Sequence, residues 1–269
     1  MNNLKYFDIH SHIQDKAFDR DRDRTLERMK EEGIGALVVG TDRKMSEDAV
    51  ALAEKNDFLW ATVGLHPSDN TREKFDHAMY LALARYPKVV AIGECGLDYF
   101  HERSVEGRAT QKELFEKHIE LALEVSKPLM LHCRPSPGTL DAYEDLLSLL
   151  TTNYKLQTVN YPGNVHFFAG DLPVAWQFLE RGFTLSFTGV VTFASDYDEV
   201  IKKMPLDRLL LETDCPYVAP VPYLGKRNEP KYIKEIVEKA AEIRGENSGK
   251  VAEATLQNAL RVFRLSVTM

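Results

Sequence analysis

Cysteine is scarce. The 269 residues hold three, Cys95, Cys133 and Cys215, with no Cys-x-x-Cys pair among them. An odd and scattered set excludes a disulfide framework and a thiolate zinc site. Long apolar runs are missing too: none approaches the roughly 18 residues of a membrane span, and Met1-Asn2-Asn3-Leu4-Lys5 lacks the apolar core of a signal peptide. A cytoplasmic location is the expectation. Positive charge is not in excess. The net charge is -7 and the isoelectric point about 5.7, which excludes a broad basic groove, so a nucleic-acid partner would have to be gripped locally. No glycine-rich phosphate turn follows the first apolar run, which counts against an open doubly wound sheet. Repeats, low-complexity stretches and linkers are also absent, so a single domain over residues 1–269 is expected.

What is present is a composition, 44% hydrophobic and 28% charged, able to bury a sizeable core. Apolar, β-branched runs read as strands at Lys5–His10, Ala36–Thr41, Leu59–Gly64, Val89–Glu94, Leu129–His132, Val165–Phe168, Thr184–Phe187 and Arg208–Glu212. Helical patterns fall between and after them, at Arg22–Glu32, Ser46–Asn56 with Ser46 as N-cap, Arg72–Arg85, Gln111–Ser126, Leu140–Leu150, Leu172–Arg181, Tyr197–Lys203, Lys231–Arg244 and Ser248–Arg264. Strands alternating with helices imply parallel βαβ units, and eight of them imply a closed (β/α)8 TIM barrel of the α/β class. The proline-rich stretch 216–230 belongs on the rim, where active-site loops gather.

In such a barrel the C-terminal strand ends converge on one mouth. The residues expected there are His10, His12, His66, Glu94, His132, His166 and Asp214, which include five of the eight histidines. His10 and His12, two apart on a strand, share a face, with Asp8 below them. Four imidazoles and two carboxylates, His10, His12, His132, His166, Glu94 and Asp214, exceed what one tetrahedral zinc takes and suit two divalent ions about 3.5–4 Å apart. A carboxylate bridges two metals where an imidazole does not, so Glu94 is the expected bridge. His10, His12 and Asp214 are assigned to one ion, His132 and His166 to the other. Two such ions outweigh the charge of Glu94 and Asp214 and make the mouth attractive to a phosphate. Water held between them drops in pKa from about 16 toward about 7, and Asp214 is placed to orient it and take its proton.

Arg134, two residues beyond His132, is a candidate phosphate clamp, and His66 a candidate donor to a substrate oxygen. Asp98 is expected to accept a hydrogen bond from a ligand histidine. His77 and His118 read as surface residues, His101 as a loop residue, and the alternating charges of Asp15–Arg24 as a solvated surface. Arg103 and Arg227 lie in loops of the right face without a clear role. The cysteines, each following a candidate ligand, turn outward toward the helices as packing.

Seven segments together resemble one family: Asp8-Ile9-His10-Ser11-His12, Gly64-Leu65-His66-Pro67, Gly93-Glu94-Cys95-Gly96-Leu97-Asp98-Tyr99, His132-Cys133-Arg134, His166-Phe167-Phe168-Ala169-Gly170, Glu212-Thr213-Asp214-Cys215-Pro216-Tyr217 and Arg227-Asn228-Glu229-Pro230. They are similar, in order and from about residue 5 to 264, to the TatD-type metal-dependent hydrolases. The resemblance implies a distorted, amidohydrolase-like TIM barrel and a divalent-metal deoxyribonuclease, often acting from a 3′ end of DNA. It also implies two ions such as Mg, Mn or Zn, and as ligands the same His10, His12, Glu94, His132, His166 and Asp214. The chain departs from the family pattern at Pro135-Ser136-Pro137-Gly138, over the stretch Thr151–Pro162, and at Phe100-His101-Glu102-Arg103. Those departures touch loops that would meet substrate. Hydrolysis of a carbon ester or amide, such as an aminoacyl-tRNA ester, is the second reading, and a non-catalytic metal-binding barrel the third. A monomer or weak oligomer is expected, with no membrane partner.

Overall fold

The computed structural model describes residues 4–69, 72–153 and 162–265. Among them, eight strands pair in parallel, in chain order: β1 (Tyr6–Ser11), β2 (Ile34–Val39), β3 (Leu59–Val63), β4 (Val89–Asp98), β5 (Leu129–Arg134), β6 (Gly163–Val165), β7 (Thr184–Phe187) and β8 (Leu209–Leu211). The intervening helices are α1 (Arg22–Glu32), α2 (Arg43–Lys55), α3 (His77–Ala84), α4 (Val105–Val125), α5 (Asp141–Thr152), α6 (Leu172–Glu180) and α7 (Asp198–Lys203), with α8 (Ile233–Arg244) and α9 (Ser248–Val262) last.

The seam between β8 and β1 departs from a regular ladder. It closes through an isolated bridge, Ser11 to Cys215, beyond the end of β8. His12 N donates to Cys215 O at 2.8 Å and Asp214 N to His10 O at 2.9 Å. The expected distortion of the barrel therefore falls on the segments that carry His10, His12 and Asp214.

The apolar residues divide by strand face, as alternation requires. One face packs against the helices and includes Cys95, Cys133 and Cys215, all buried and unpaired. The other fills the lower lumen with Phe7, Leu37, Trp60, Met130 and Leu210, closed by Leu256 and Val262 of α9 and by Phe263 just after it. Above this plug the lumen turns polar at the strand ends, and there the candidate site begins.

Element boundaries moved where a capping side chain overrode the apolar pattern. Helix α2 starts at Asp42, whose side chain accepts from Met45 N, and Ser46 is buried inside the helix with its hydroxyl 3.3 Å from Gly64 O. Helix α4 starts at Val105, six residues before Gln111, because the Ser104 hydroxyl caps it by accepting from Gly107 N. Helix α3 is shorter than the Arg72–Arg85 pattern and begins after Asp76. Strand β6 lies ahead of the expected Val165–Phe168 run, so His166 follows it directly. Of the Thr151–Pro162 departure, residues 154–161 lie outside the described residues. The loop at Pro135–Gly138 is tied down by Ser136, whose hydroxyl meets Arg108 Nη2 and Asp141 Oδ2, each at 2.7 Å.

One surface assignment needs correcting. His77 is indeed exposed, 3.0 Å from Glu124, but His118 is fully buried on the inner face of α4. Its Nδ1 faces Leu114 O at 2.9 Å and its Nε2 accepts from Leu65 N at 3.0 Å, with Phe75 packed on the ring at 4.6 Å. The helical spacing put His118 among charged neighbours, and only the loop after β3 turns its face inward. The Asp15–Arg24 stretch is the solvated surface expected, with Lys16, Asp19, Arg20, Asp23 and Arg24 exposed, although Asp21 and Arg22 are half-buried. Arg22 donates to Ile13 O and Gln14 O, and Asp21 forms a paired contact with Arg227 at 2.6 and 2.8 Å.

Burial pushes the His118 imidazole down to about 4 from the usual 6.5. Between those values the unfolded chain binds a proton that the folded chain refuses, so stability falls as pH drops through this window, by up to about 3 kcal/mol. The melting temperature measured from pH 7 to pH 4 should fall less steeply in His118→Gln than in the wild type, with the variant already less stable at pH 7. Equal slopes would show that His118 is not the group responsible.

Candidate metal centre

Glu94 reaches the middle of the lumen because β4 is pinched against β5. Gly93 and Gly96 hold φ of +144° and +137°, backbone that glycine adopts freely. A Cβ at Gly93 would stand 2.3 Å from Met130 O, and one at Gly96 2.0 Å from His132 O. The β4–β5 register slips between Ile92 and Cys95, across the residue that carries the carboxylate. Glu94 is 4% exposed.

Four imidazoles surround that carboxylate, each from a different strand end. Glu94 Oε1 lies 2.9 Å from His132 Nδ1, 3.1 Å from His166 Nε2 and 3.5 Å from His66 Nε2, and Oε2 lies 3.3 Å from His10 Nε2. Asp214 Oδ1 sits 3.5 Å from His12 Nε2 and 3.8 Å from His10 Nε2. The structure thus brings together all six groups expected as ligands. Their donor atoms fall into three overlapping triads, each within 4.8 Å: His10, His12 and Glu94; His10, His166 and Asp214; His66, Glu94 and His132. His166, which spacing groups with His132, falls in the triad of His10 and Asp214, its ring stacked on that of His10 at 3.7 Å.

Hydrogen-bond partners decide which nitrogens are available. His12 Nδ1 faces Val39 O at 2.9 Å, an acceptor, so this nitrogen carries the proton and Nε2 turns its lone pair into the cluster. His132 Nε2 faces Asp98 Oδ2 at 3.3 Å, leaving Nδ1 toward Glu94, while His166 Nδ1 lies 3.3 Å from Glu212 Oε1 without a hydrogen bond and its Nε2 turns toward Glu94. His10 Nδ1 has no hydrogen-bond partner, and its Nε2 meets His12 Nε2 at 3.2 Å. Nitrogens that crowd together beside a buried carboxylate are what a divalent cation would satisfy, and imidazole with carboxylate is a donor set for zinc or manganese. His66 differs. Its Nδ1 accepts from Ser68 N at 3.2 Å, so the proton sits on Nε2, facing the cavity as a donor.

Charges in the cluster oppose burial. Burial works against protonating His166, His132 and His12, yet neighbouring carboxylates raise all three above the usual value. His10 goes the other way, lowered by burial and by His166. Burial likewise opposes the Glu94 charge, and the imidazoles hold its carboxyl well below the usual range. A cation bound here replaces protons, because these ligands coordinate in deprotonated form.

Three positioning residues stand behind the donors. Asp98 accepts from His101 N at 3.0 Å and faces His101 Nδ1 at 2.8 Å as well as His132. Glu212, fully buried, accepts from Phe167 N at 2.6 Å and Ser186 Oγ at 2.8 Å while facing His166. It went unassigned in the sequence although Glu212-Thr213-Asp214 places it one alternation below Asp214. Asn228, also buried, donates to Thr213 O and Tyr217 O, both at 2.7 Å, and fastens the loop after β8. That loop needs fastening: Asp214 and Val218 hold φ of +55° and +44°, costly for any residue and most so for a β-branched one.

Asp8 does not lie below the histidines. The β1–β2 register slips between Asp8 and Ser11, and the period-2 alternation breaks there. The Asp8 carboxyl instead accepts from Thr213 N at 2.8 Å and Thr213 Oγ1 at 2.5 Å, and burial pushes it up to about 8. Above the donors opens a cavity of about 910 Å³ whose lining includes His66, Asp98, Arg134 and Tyr217. Arg134 is exposed on its rim, its guanidinium 4.0 Å over the Phe100 ring. Arg103 is exposed and outside the lining.

The family model described as "TatD related DNase" matches residues 7–264. The chain belongs to the TatD family. It is 40% identical over 267 residues, covering 97% of this chain and 99% of the relative, to the uncharacterized metal-dependent hydrolase YabD of Bacillus subtilis. It is 35% identical, covering 96% and 100%, to a protein of Erwinia tasmaniensis named 3′-5′ ssDNA/RNA exonuclease TatD. Among solved structures, the TatD homolog YJJV of Escherichia coli K12 superposes with a TM-score of 0.86 at 29% identity, over 98% of this chain and 99% of that one. The chain is a TatD-family metal-dependent hydrolase on a TIM barrel, an enzyme acting on ester bonds.

Replacing Asp98 by Asn leaves the shape of the side chain but removes the charge that orients His132. Zinc affinity, measured by titration calorimetry, should weaken by about 10–100-fold, the usual cost of losing such a partner. Unchanged affinity would place His132 outside the metal centre.

Proposed function

We propose that this TatD protein is a cytoplasmic exonuclease, one domain over residues 1–269, that trims single-stranded DNA from a 3′ end with two divalent ions (Mg, Mn or Zn). The observation that carries the reading is the meeting of four imidazoles with Glu94 and Asp214 at one mouth, all from a single chain. The name of the Erwinia relative supports the substrate. No described helix is long and apolar enough to cross a membrane, and three buried free thiols fit a reducing compartment.

In this reading Glu94 would serve both ions, His10, His12 and Asp214 would hold one, and His132 and His166, at 2.9 and 3.1 Å from Glu94 Oε1, would hold the other. When bound, two such cations supply Lewis acidity toward phosphoryl oxygens and acidify water toward neutral pH. Asp214, partly buried at the mouth, orients the attacking water and takes its proton on a carboxylate oxygen. Water attacks phosphorus in line with the departing ribose oxygen, with no covalent enzyme intermediate. His66 Nε2–H donates to a phosphoryl oxygen. Arg134, propped on Phe100, clamps the phosphate by two parallel N–H groups.

Purified protein stripped with chelator should leave a 5′-labelled single strand intact, and Mg, Mn or Zn should restore shortening from the 3′ end. Asp214→Asn should lower kcat by about 10²–10⁴-fold, the usual worth of a positioned base, with an unchanged melting temperature in the metal-free protein. Cleavage of an aminoacyl ester with the DNA left whole would overturn phosphorus as the electrophile. Full turnover by Asp214→Asn would overturn its role.

A further inference from the structure

We propose that the ring of Tyr217 is the stacking platform for a base flanking the scissile phosphate, and so the residue that selects single-stranded ends. The inference deepens the exonuclease reading and rests on it. Tyr217 lines the same cavity as the metal donors, and its ring centroid lies 6.0 Å from that of His12, edge to face. It is nonetheless 54% exposed.

That exposure belongs to a residue whose backbone is held. Tyr217 N donates to Asp214 O at 3.0 Å, and Tyr217 O accepts from the buried Asn228 side chain at 2.7 Å. The backbone that aims Asp214 into the cluster also aims the Tyr217 ring over it. Val218 lies beside it in the lining, exposed, and the exposed Val221 follows on the same loop. Val221 N donates to Thr192 Oγ1 at 2.9 Å, which ties the loop after β8 to the loop after β7.

Charge explains why such a platform is needed. The chain carries a net -7, and Arg72 and Arg134 are the arginines in the described cavity lining, which holds no lysine. Beyond the scissile phosphate that the cations would hold, two arginine contacts release few counterions, so electrostatics add little grip on the rest of the strand. Stacking on an aromatic face is open to every base and independent of net charge. Phe100, on the β5 side of the mouth, already has a face against Arg134. A base inside a duplex is stacked on its neighbours and has no face to offer. A frayed or single-stranded end has one.

The test uses metal-loaded enzyme, its metal content measured for each variant, and a 5′-labelled strand. Two further strands carry an abasic residue, one on each side of the 3′-terminal phosphodiester. In wild type and in Tyr217→Phe, one of the abasic strands should lose about tenfold in kcat/KM, chiefly through KM, the low end of what one stacked base is worth. In Tyr217→Ala that penalty should shrink to less than about twofold. If Tyr217→Ala keeps the tenfold penalty, or wild type is indifferent to both abasic strands while cleaving all three, the inference fails and the exonuclease reading stands. Wild type that cleaves none of the strands overturns both.

Discussion

A carboxylate buried at the throat of a barrel is the constraint on which the rest of the molecule depends. Glu94 is 4% exposed, and a lone charge at that depth would cost several kcal/mol and neutralise itself. It persists because imidazoles from β1, from the loop after β3, from β5 and from the end of β6 point at its two oxygens. Only a closed sheet, whose strands end on one side, brings residues so far apart in the chain around one point. The glycines that flank Glu94 belong to the same constraint, since a side chain at either would strike the carbonyl row of β5.

Function also explains where the backbone is most contorted. The β1 and β4 registers slip beside His10 and Glu94, and Asp214 and Val218 sit at positive φ. Regular ladders would turn alternate side chains away from the lumen. Slips and a tightly held turn put several donors on the same side within a short stretch of chain. The surrounding fold supplies the energy for these conformations through partners such as Asn228 and Thr213, which make no direct contribution to the donor set.

Much of this was legible because both the barrel and its donor set are written as local patterns. Strand ends show as apolar, β-branched runs broken by a polar residue, and the five at β1, β4, β5, β6 and β8 carry the six residues that meet at the mouth. Asp8 misled because alternation assumes an unbroken register. His118 misled because its inward turn depends on Leu65 and Phe75, which are distant in sequence. Glu212 was passed over because a carboxylate that faces a histidine from below has no signature apart from that histidine. Helix starts slipped by a few residues wherever Asp42, Asp76 or Ser104 offered a better cap than the apolar pattern indicated. Side chains whose roles depend on a partner across the fold are the ones that a linear reading places least well.

The seam between the first and last strands carries one more consequence. It is closed by His12 N on Cys215 O and by Asp214 N on His10 O, so the residues that fasten the barrel are the donors themselves or their immediate neighbours. A polypeptide truncated anywhere before Asp214 lacks this fastening and one of the six donors together. Reaching Asp214 and Cys215 and completing both the seam and the donor set are therefore the same event.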